Sequence, residues 1–489
     1  YGLSMSSDLM LKTAEELSEL IRTRTVSSRE LLDEAVARFE AFNPTVNAIT
    51  EHKIEEAQKA ARNADEATAR GESIGVLHGL PVTIKEAYDW VGTPSTWGNP
   101  EWINNFPECN SPSVERLLDA GAIIWAKTNV PFMLSDWQSF NDIYGCTNNP
   151  WDLNRTPGGS SGGSAVSLAT GMSALEIGSD IGASIRNPAH YCGVFGHKPT
   201  MGLIPQTGHT APGFDTEVDI AVMGPLARSA NDLDRALSVL AGPDGYDATA
   251  YTVQLPEAEG KRLEDYRVGV LLDTTACVTS TALIEHLQNT IDSLASRGVN
   301  VSDAVPDINQ DEFFENYLLL LRAANGVSMN DEAFNNARAG HEGWERGERN
   351  YRNLVDHAAH MTHREWFALD QQRDKYRRAW AEFFEEFDLL LCPAAASTAF
   401  VHDHEGERPD RTIDIEGSQE PVVDQLFWAG WSCSVYLPST VAPVGLLDAL
   451  PVGLQIVAPH LQDRRSIHFA SLIERELGGF VAPPGFETI

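Results

Sequence analysis

From residue 142 to residue 164 the chain reads DIYGCTNNPWDLNRTPGGSSGGS, so dense in Gly, Pro, Asn and Ser that neither the helical nor the strand period survives. Such a stretch is a long ordered loop or a functional one. The residues after it argue against a flexible linker. Ser164–Thr170 are small residues that predict a short helix with Gly171 as its stop, and Ser173–Ile177 reads as a buried strand. A second Gly/Ser cluster, GSDIGASIR at 178–186, lies directly beyond that strand. Two serine loops that bracket one helix and one strand can converge.

The rest of the chain alternates helices and strands. Residues 8–70 read as helical, with Leu17, Leu20 and Ile21, then Leu31, Leu32, Ala35 and Phe39, at helical spacing. Ser28 is a cap candidate, and Pro44 is expected to close the second helix. Short β-branched runs then begin, Leu80–Ile84 and Ala122–Ala126. Residues 243–265, rich in Pro, Gly and acidic side chains, read as a link to a new strand at Arg267–Leu272. Residues 310–387 are helical and end in the strand signal FDLLLCP, 435–457 reads as two more strands, and a last helix runs from near Asp463 to Glu474. The alternation predicts an α/β fold, a mixed sheet flanked by helices. The 489 residues allow about three domains or one large α/β unit.

Charge narrows the partners. With 36 Lys+Arg against 70 Asp+Glu, the net charge of -34 repels phosphate backbones and anionic lipid heads, so neither nucleic acid nor a membrane surface is an expected partner. Cys109, Cys146, Cys192, Cys277, Cys392 and Cys433 are far apart and form no CxxC pair, which fits a reducing, cytoplasmic setting. No run approaches the ~20 apolar residues of a membrane span. The opening YGLSMSSDLM lacks the features of a secretory signal, and Met5 is the expected natural start.

Several motifs compete. Gly158–Gly162 satisfies GxSxG, but a nucleophile elbow needs a preceding strand and none can be drawn through Asn154, Arg155 and Pro157. A phosphate loop is weaker still, because no Lys-Ser or Lys-Thr follows the glycines. His357, His360 and His363 recur at steps of three on a predicted helix and drift around it, while His402 and His404 lie in a polar acidic loop. No HExxH is present, so no metal and no cofactor are expected. Lys85 ends an apolar strand, a place where a lysine is usually solvated.

Taken together, Lys85 and the two serine loops resemble the amidase signature family. GCTNNPWDLNRTPGGSSGGSA at 145–165, GSDIGASIRNPA at 178–189 and HYCGVFGHKPT at 190–200 are similar to its signature region. LPVTIKEAYDWVGTPSTWG at 80–98, AKTNVP at 126–131, GPLARSANDL at 224–233 and LPVGLQIVAP at 450–459 extend the likeness, and only about 250–400 fits loosely. The resemblance implies one amidase domain over 1–489, with an N-terminal helical region at about 8–70 and a divergent helical insertion at about 250–400.

It also implies a Ser-cisSer-Lys triad, which by position falls on Ser184, Ser160 and Lys85, with the cis bond between Gly159 and Ser160. The chemistry is coherent. A serine hydroxyl needs a base within hydrogen-bond reach, and a lysine can serve only if burial brings its pKa down from ~10.4. The backbone N–H groups of Ile181, Gly182, Ala183 and Ser184 are the expected oxyanion donors. Asp180 and Arg186 are read as bracing that loop, and Ser161 as a partner of Ser160. Many family members carry Gly where this chain has Ala183, and the acidic residue usual after Lys-Thr-Asn-x-Pro is replaced by Phe132. Phe132, Met133, Trp137 and Tyr144 are candidates for the acyl pocket. The implied reaction is hydrolysis of a small-molecule amide, ester or carbamate by a monomer or homodimer. The alternative is the glutaminase (A) subunit of a tRNA-dependent amidotransferase.

Overall fold

The aliphatic runs pair into one sheet. The computed structural model describes residues 8–72, 75–258, 262–347 and 350–489. Among these, eleven strands lie in the order Ile49–His52, Ile123–Thr128, Pro81–Lys85, Glu176–Asp180, Val222–Ala227, Phe195–Lys198, Ser439–Leu447, Leu450–Val457, Leu389–Pro393, Arg267–Val270 and Asn300–Ser302. Pairing is mixed: Pro81–Lys85 runs parallel to both its neighbours, whereas Glu176–Asp180 meets Val222–Ala227 antiparallel. These central strands are buried along their whole length, as strands covered on both faces must be. Because they are parallel, Lys85 and Asp180 leave the sheet at the same edge.

The helix of small residues, Gly162–Ala169, is buried at every position and packs on those same three strands. A Cβ on Gly163 would meet Asn129 O at 2.7 Å, so only glycine admits this approach. Helices Gln310–Gly326, Tyr351–His360, His363–Glu386 and Leu426–Cys433 form an apolar cluster that includes Trp137 and Ala183. The divergent region thus packs directly over the loop after Asp180. No helix among the described residues is long and apolar enough to cross a membrane.

Several boundaries differ from the sequence reading. Strand Ile49–His52 interrupts the helical run 8–70. Ser27, not Ser28, caps the second helix, in a capping box with Glu30, while the N–H of Ser28 donates to Asp65. Pro44 lies in the last turn rather than ending the helix, which closes at Asn47 in the left-handed region. The strand expected at 173–177 is Glu176–Asp180, because the Ser173 hydroxyl turns back onto the carbonyl of Leu175. His357 and His360 end one helix and His363 opens the next, since Thr362 forms a capping box with Glu365. Met5 and residues 259–261 of the linker lie outside the described residues.

Candidate active site

Lys85, at the sheet edge, is sealed from solvent and reaches three hydroxyls. Its Nζ lies 2.7 Å from Ser160 Oγ, 3.1 Å from Ser161 Oγ and 2.9 Å from Ser179 Oγ. Burial pulls its pKa down to about 7, against the opposing pull of Asp180, Glu176 and Glu86. Ser161 therefore serves the lysine rather than Ser160; its Oγ also contacts the backbone of Ser179. Gly178 makes room for it, since a Cβ there would stand 2.7 Å from Ser161 Oγ. The Gly159–Ser160 bond is cis.

Ser179 and Glu176 escaped the sequence reading because Glu176 falls inside the expected strand and Ser179 reads as one more residue of the Gly/Ser cluster. Glu176 is buried beside Lys85 and accepts from Thr83 and, at 3.0 Å, from Thr128. Burial pushes its carboxyl up to about 8, past the effect of those hydroxyls and of Lys85.

Ser184 sits on the second loop, tied to the first by the N–H of Ser161 donating to the Ser184 carbonyl at 3.1 Å. Asp180 organises this loop. Its carboxylate accepts from the N–H groups of Ala183 (2.9 Å) and Ile185 (3.1 Å) and pairs with the Arg186 guanidinium at 2.9 Å. Burial alone would raise the Asp180 pKa, but Arg186 overrides it and holds it at about 2. Arg186 is anchored in turn by Gln455, Ser432 and the carbonyl of Ala429. The geometry corrects one expectation: the Ala183 N–H faces Asp180 and is not free for an oxyanion. Ala183 adopts φ 67, a left-handed conformation that turns its N–H inward. The loop carbonyls are pinned as well, Ile181 O by Tyr317 (2.9 Å) and Gly182 O by the Trp137 indole (2.7 Å).

Ser160 and Ser184 open onto one cavity of about 130 Å³, walled by Trp97, Met133, Ile181, Phe214, Val218 and Met223 among others. His209 also lines it. Burial drives its pKa down to about 3, and its Nε2 has no hydrogen-bond partner among the described residues. Of the pocket candidates, Met133 lines this cavity and Trp137 an adjoining crevice that also touches Ser184. Phe132 instead points to solvent, 52% exposed, and Tyr144 turns away to contact Glu51. Met133 and Leu134 both take positive φ, and this reversal sends Phe132 outward.

Elsewhere, Cys146 comes to rest against His402 and His404, partners about 256 residues away in the chain that no local motif could reveal.

The chain belongs to the amidase family, whose model matches residues 30–467. It is accordingly an enzyme of the class that hydrolyses amide C–N bonds. It is 32% identical over 479 residues to an indoleacetamide hydrolase of Bradyrhizobium diazoefficiens, covering 95% of this chain and 86% of that one. It is 30% identical over 498 residues to the (A) subunit of a glutamyl-tRNA(Gln) amidotransferase of Caldanaerobacter subterraneus, covering 96% and 97%. Among solved structures, a bacterial aryl acylamidase of the amidase signature family matches the fold with a TM-score of 0.80 at 24% identity, over 96% of both chains.

Proposed function

We propose that this amidohydrolase cleaves small amides with a single aromatic or compact apolar acyl group, through an acyl-enzyme on Ser184. Aryl esters and carbamates fit the same machinery. Ser184 Oγ attacks the carbonyl carbon while its proton passes to Ser160 Oγ, which gives its own to neutral Lys85 Nζ. The oxyanion is received by the N–H groups of Ile181, Gly182 and Ser184; such a donor is worth roughly 3 kcal/mol. When the C–N bond breaks, the proton returns from Lys85 through Ser160 to the departing amine. Water then attacks the ester by the same relay, releasing the acid and restoring Ser184. The balance is R–CO–NH–R′ + H2O giving R–COOH and R′–NH2.

The observation that carries this reading is the meeting of the Lys85–Ser160 pair and Ser184 on one apolar cavity. Its size supports the acyl class: an engineered apolar cavity of about 150 Å³ takes up benzene. The glutaminase alternative has the amidotransferase relative in its favour. Against it, glutamine carries two charges, and Asp180, the one charged residue among the described residues lining the cavity, is already committed to Arg186.

Purified enzyme should be given aryl-acyl substrates (benzamide and methyl benzoate), an aliphatic amide, glutamine and an anilide, with Ser184→Ala alongside. The expected result is turnover of the aryl-acyl substrates that vanishes in the variant. Preference for glutamine over all of them would overturn the reading.

A further inference from the structure

We propose that Cys146, His402 and His404 form a binding site for a zinc-class divalent cation that clips two distant segments together. The donors come from the loop leading into Ser160 and from the segment after strand Leu389–Pro393. Cys146 Sγ lies 3.8 Å from His402 Nδ1, 3.9 Å from its Nε2 and 3.8 Å from His404 Nε2, and one ligand atom from each residue falls within 4.8 Å of the others. A tetrahedral zinc with Zn–S of about 2.3 Å and Zn–N of about 2.05 Å sets S···N near 3.6 Å and N···N near 3.3 Å, so the sulfur contacts need only a few tenths of an ångström and the two imidazole nitrogens close in from within 4.8 Å.

The two segments are already held in register without any ion. Arg155 bridges to Val401, the N–H of His402 donates to Asn154 O at 3.0 Å, and Gln138 exchanges two hydrogen bonds with the backbone of Asp403. Ring orientation is fixed too: His404 stacks on Phe140 with centroids 3.9 Å apart. Ligands preorganised by outer contacts are what metal sites require.

The cluster is also rich in lone pairs and poor in protons. The single thiol proton faces, besides the imidazoles, Thr147 O at 3.4 Å and Asn148 Oδ1 at 3.8 Å. The two imidazoles, of His402 and His404, supply the nitrogen donors. The charged groups that face them are Asp152 toward His402, and Arg411, Asp136 and Asp403 toward His404. Arg411 is engaged by Asp136 at 2.5 Å, so among the described residues no cation is committed to the sulfur. Binding would form one S–metal and two N–metal bonds, the thiol releasing its proton to solvent, with no change in oxidation state. Solvent completes the fourth position on the exposed side of His404.

The test uses full-length, metal-stripped protein without a histidine tag, titrated with Zn2+ and, for spectroscopy, Co2+. The expected result is one saturable equivalent of Zn2+ with proton release, a thiolate-to-cobalt charge-transfer band, and a rise in Tm that Mg2+ does not give. Cys146→Ser and His404→Gln should each weaken binding by about 100-fold or more and abolish the Tm rise. His404 is exposed, so its variant decides the matter should Cys146→Ser fail to fold. No saturable binding at micromolar Zn2+, or undiminished binding by His404→Gln, overturns the proposal; the latter would place the ion elsewhere.

Discussion

Ser179 Oγ stands 2.9 Å from Lys85 Nζ, and with Ser160 and Ser161 it gives the lysine a hydroxyl for each of its three N–H directions. An ammonium is fully satisfied there. A neutral amine has only two N–H bonds and one lone pair, so on deprotonation one contact reverses and a serine donates to the nitrogen. The same cage thus holds both forms of the base. Ser160 and Ser179 both border the cavity with Ser184, and Ser160 makes the shorter contact with the lysine.

Activity should follow the neutral lysine. With Lys85 held down at about 7 by burial, kcat/KM for an aryl amide is expected to rise with pH through neutrality and level off above it. Ser179→Ala removes an acceptor of the ammonium, so the acidic limb should move to lower pH. A flat profile between about pH 5 and 9, or near wild-type activity in Lys85→Ala, contradicts the assignment of the base.

Glu176 makes a prediction about stability rather than rate. Its carboxyl is pushed up from 4.5 to about 8 in the folded chain, so the folded state holds a proton that the unfolded state gives up. Its stabilising contribution is complete below about pH 4.5 and is lost as pH rises through 8. Glu176→Gln, which keeps shape but cannot ionise, should flatten this decline and match or exceed wild-type stability at pH 8. Denaturant unfolding at several pH values checks it; a variant that weakens more steeply with pH contradicts it.

Asp180 and Arg186 are both sealed from water, so removing one strands the other. Asp180→Ala should cost about 3–5 kcal/mol of stability, measured by urea unfolding, and should also release the N–H groups of Ala183 and Ile185. A loss below about 1 kcal/mol would mean the pair is not the brace described.

The acyl pocket can be filled from one wall. Ala324, near the end of helix Gln310–Gly326, lines the cavity, and a phenyl group there competes with the substrate ring for the same space. Ala324→Phe should lower kcat/KM for aryl-acyl amides by about tenfold or more while sparing acetamide. Equal losses on both substrates would place the acyl group elsewhere.

Much of this was legible in the residues. The alternation of elements indicates a mixed sheet flanked by helices, and the two serine loops with Lys85 mark the residues that meet at its edge. What stayed hidden depends on the third dimension. Ser179 and Glu176 face Lys85 only because strand Glu176–Asp180 lies parallel beside Pro81–Lys85. Phe132 and Tyr144 carry the right chemistry but point away, Phe132 because of a backbone reversal at Met133 and Leu134 and Tyr144 because it reaches Glu51, neither of which composition encodes. Strand Ile49–His52 is short and only Ile49 in it is buried, so its pattern vanishes among the flanking helices. The Cys146 cluster joins segments too distant for any spacing rule.

The central claim is that Ser184 is the nucleophile. Folded enzyme should be treated with an aryl fluorophosphonate, digested, and the modified serine located by mass spectrometry. The account expects one adduct, on Ser184, absent from Ser184→Ala together with all amide turnover. An adduct on another serine, or turnover that survives in Ser184→Ala, would contradict it.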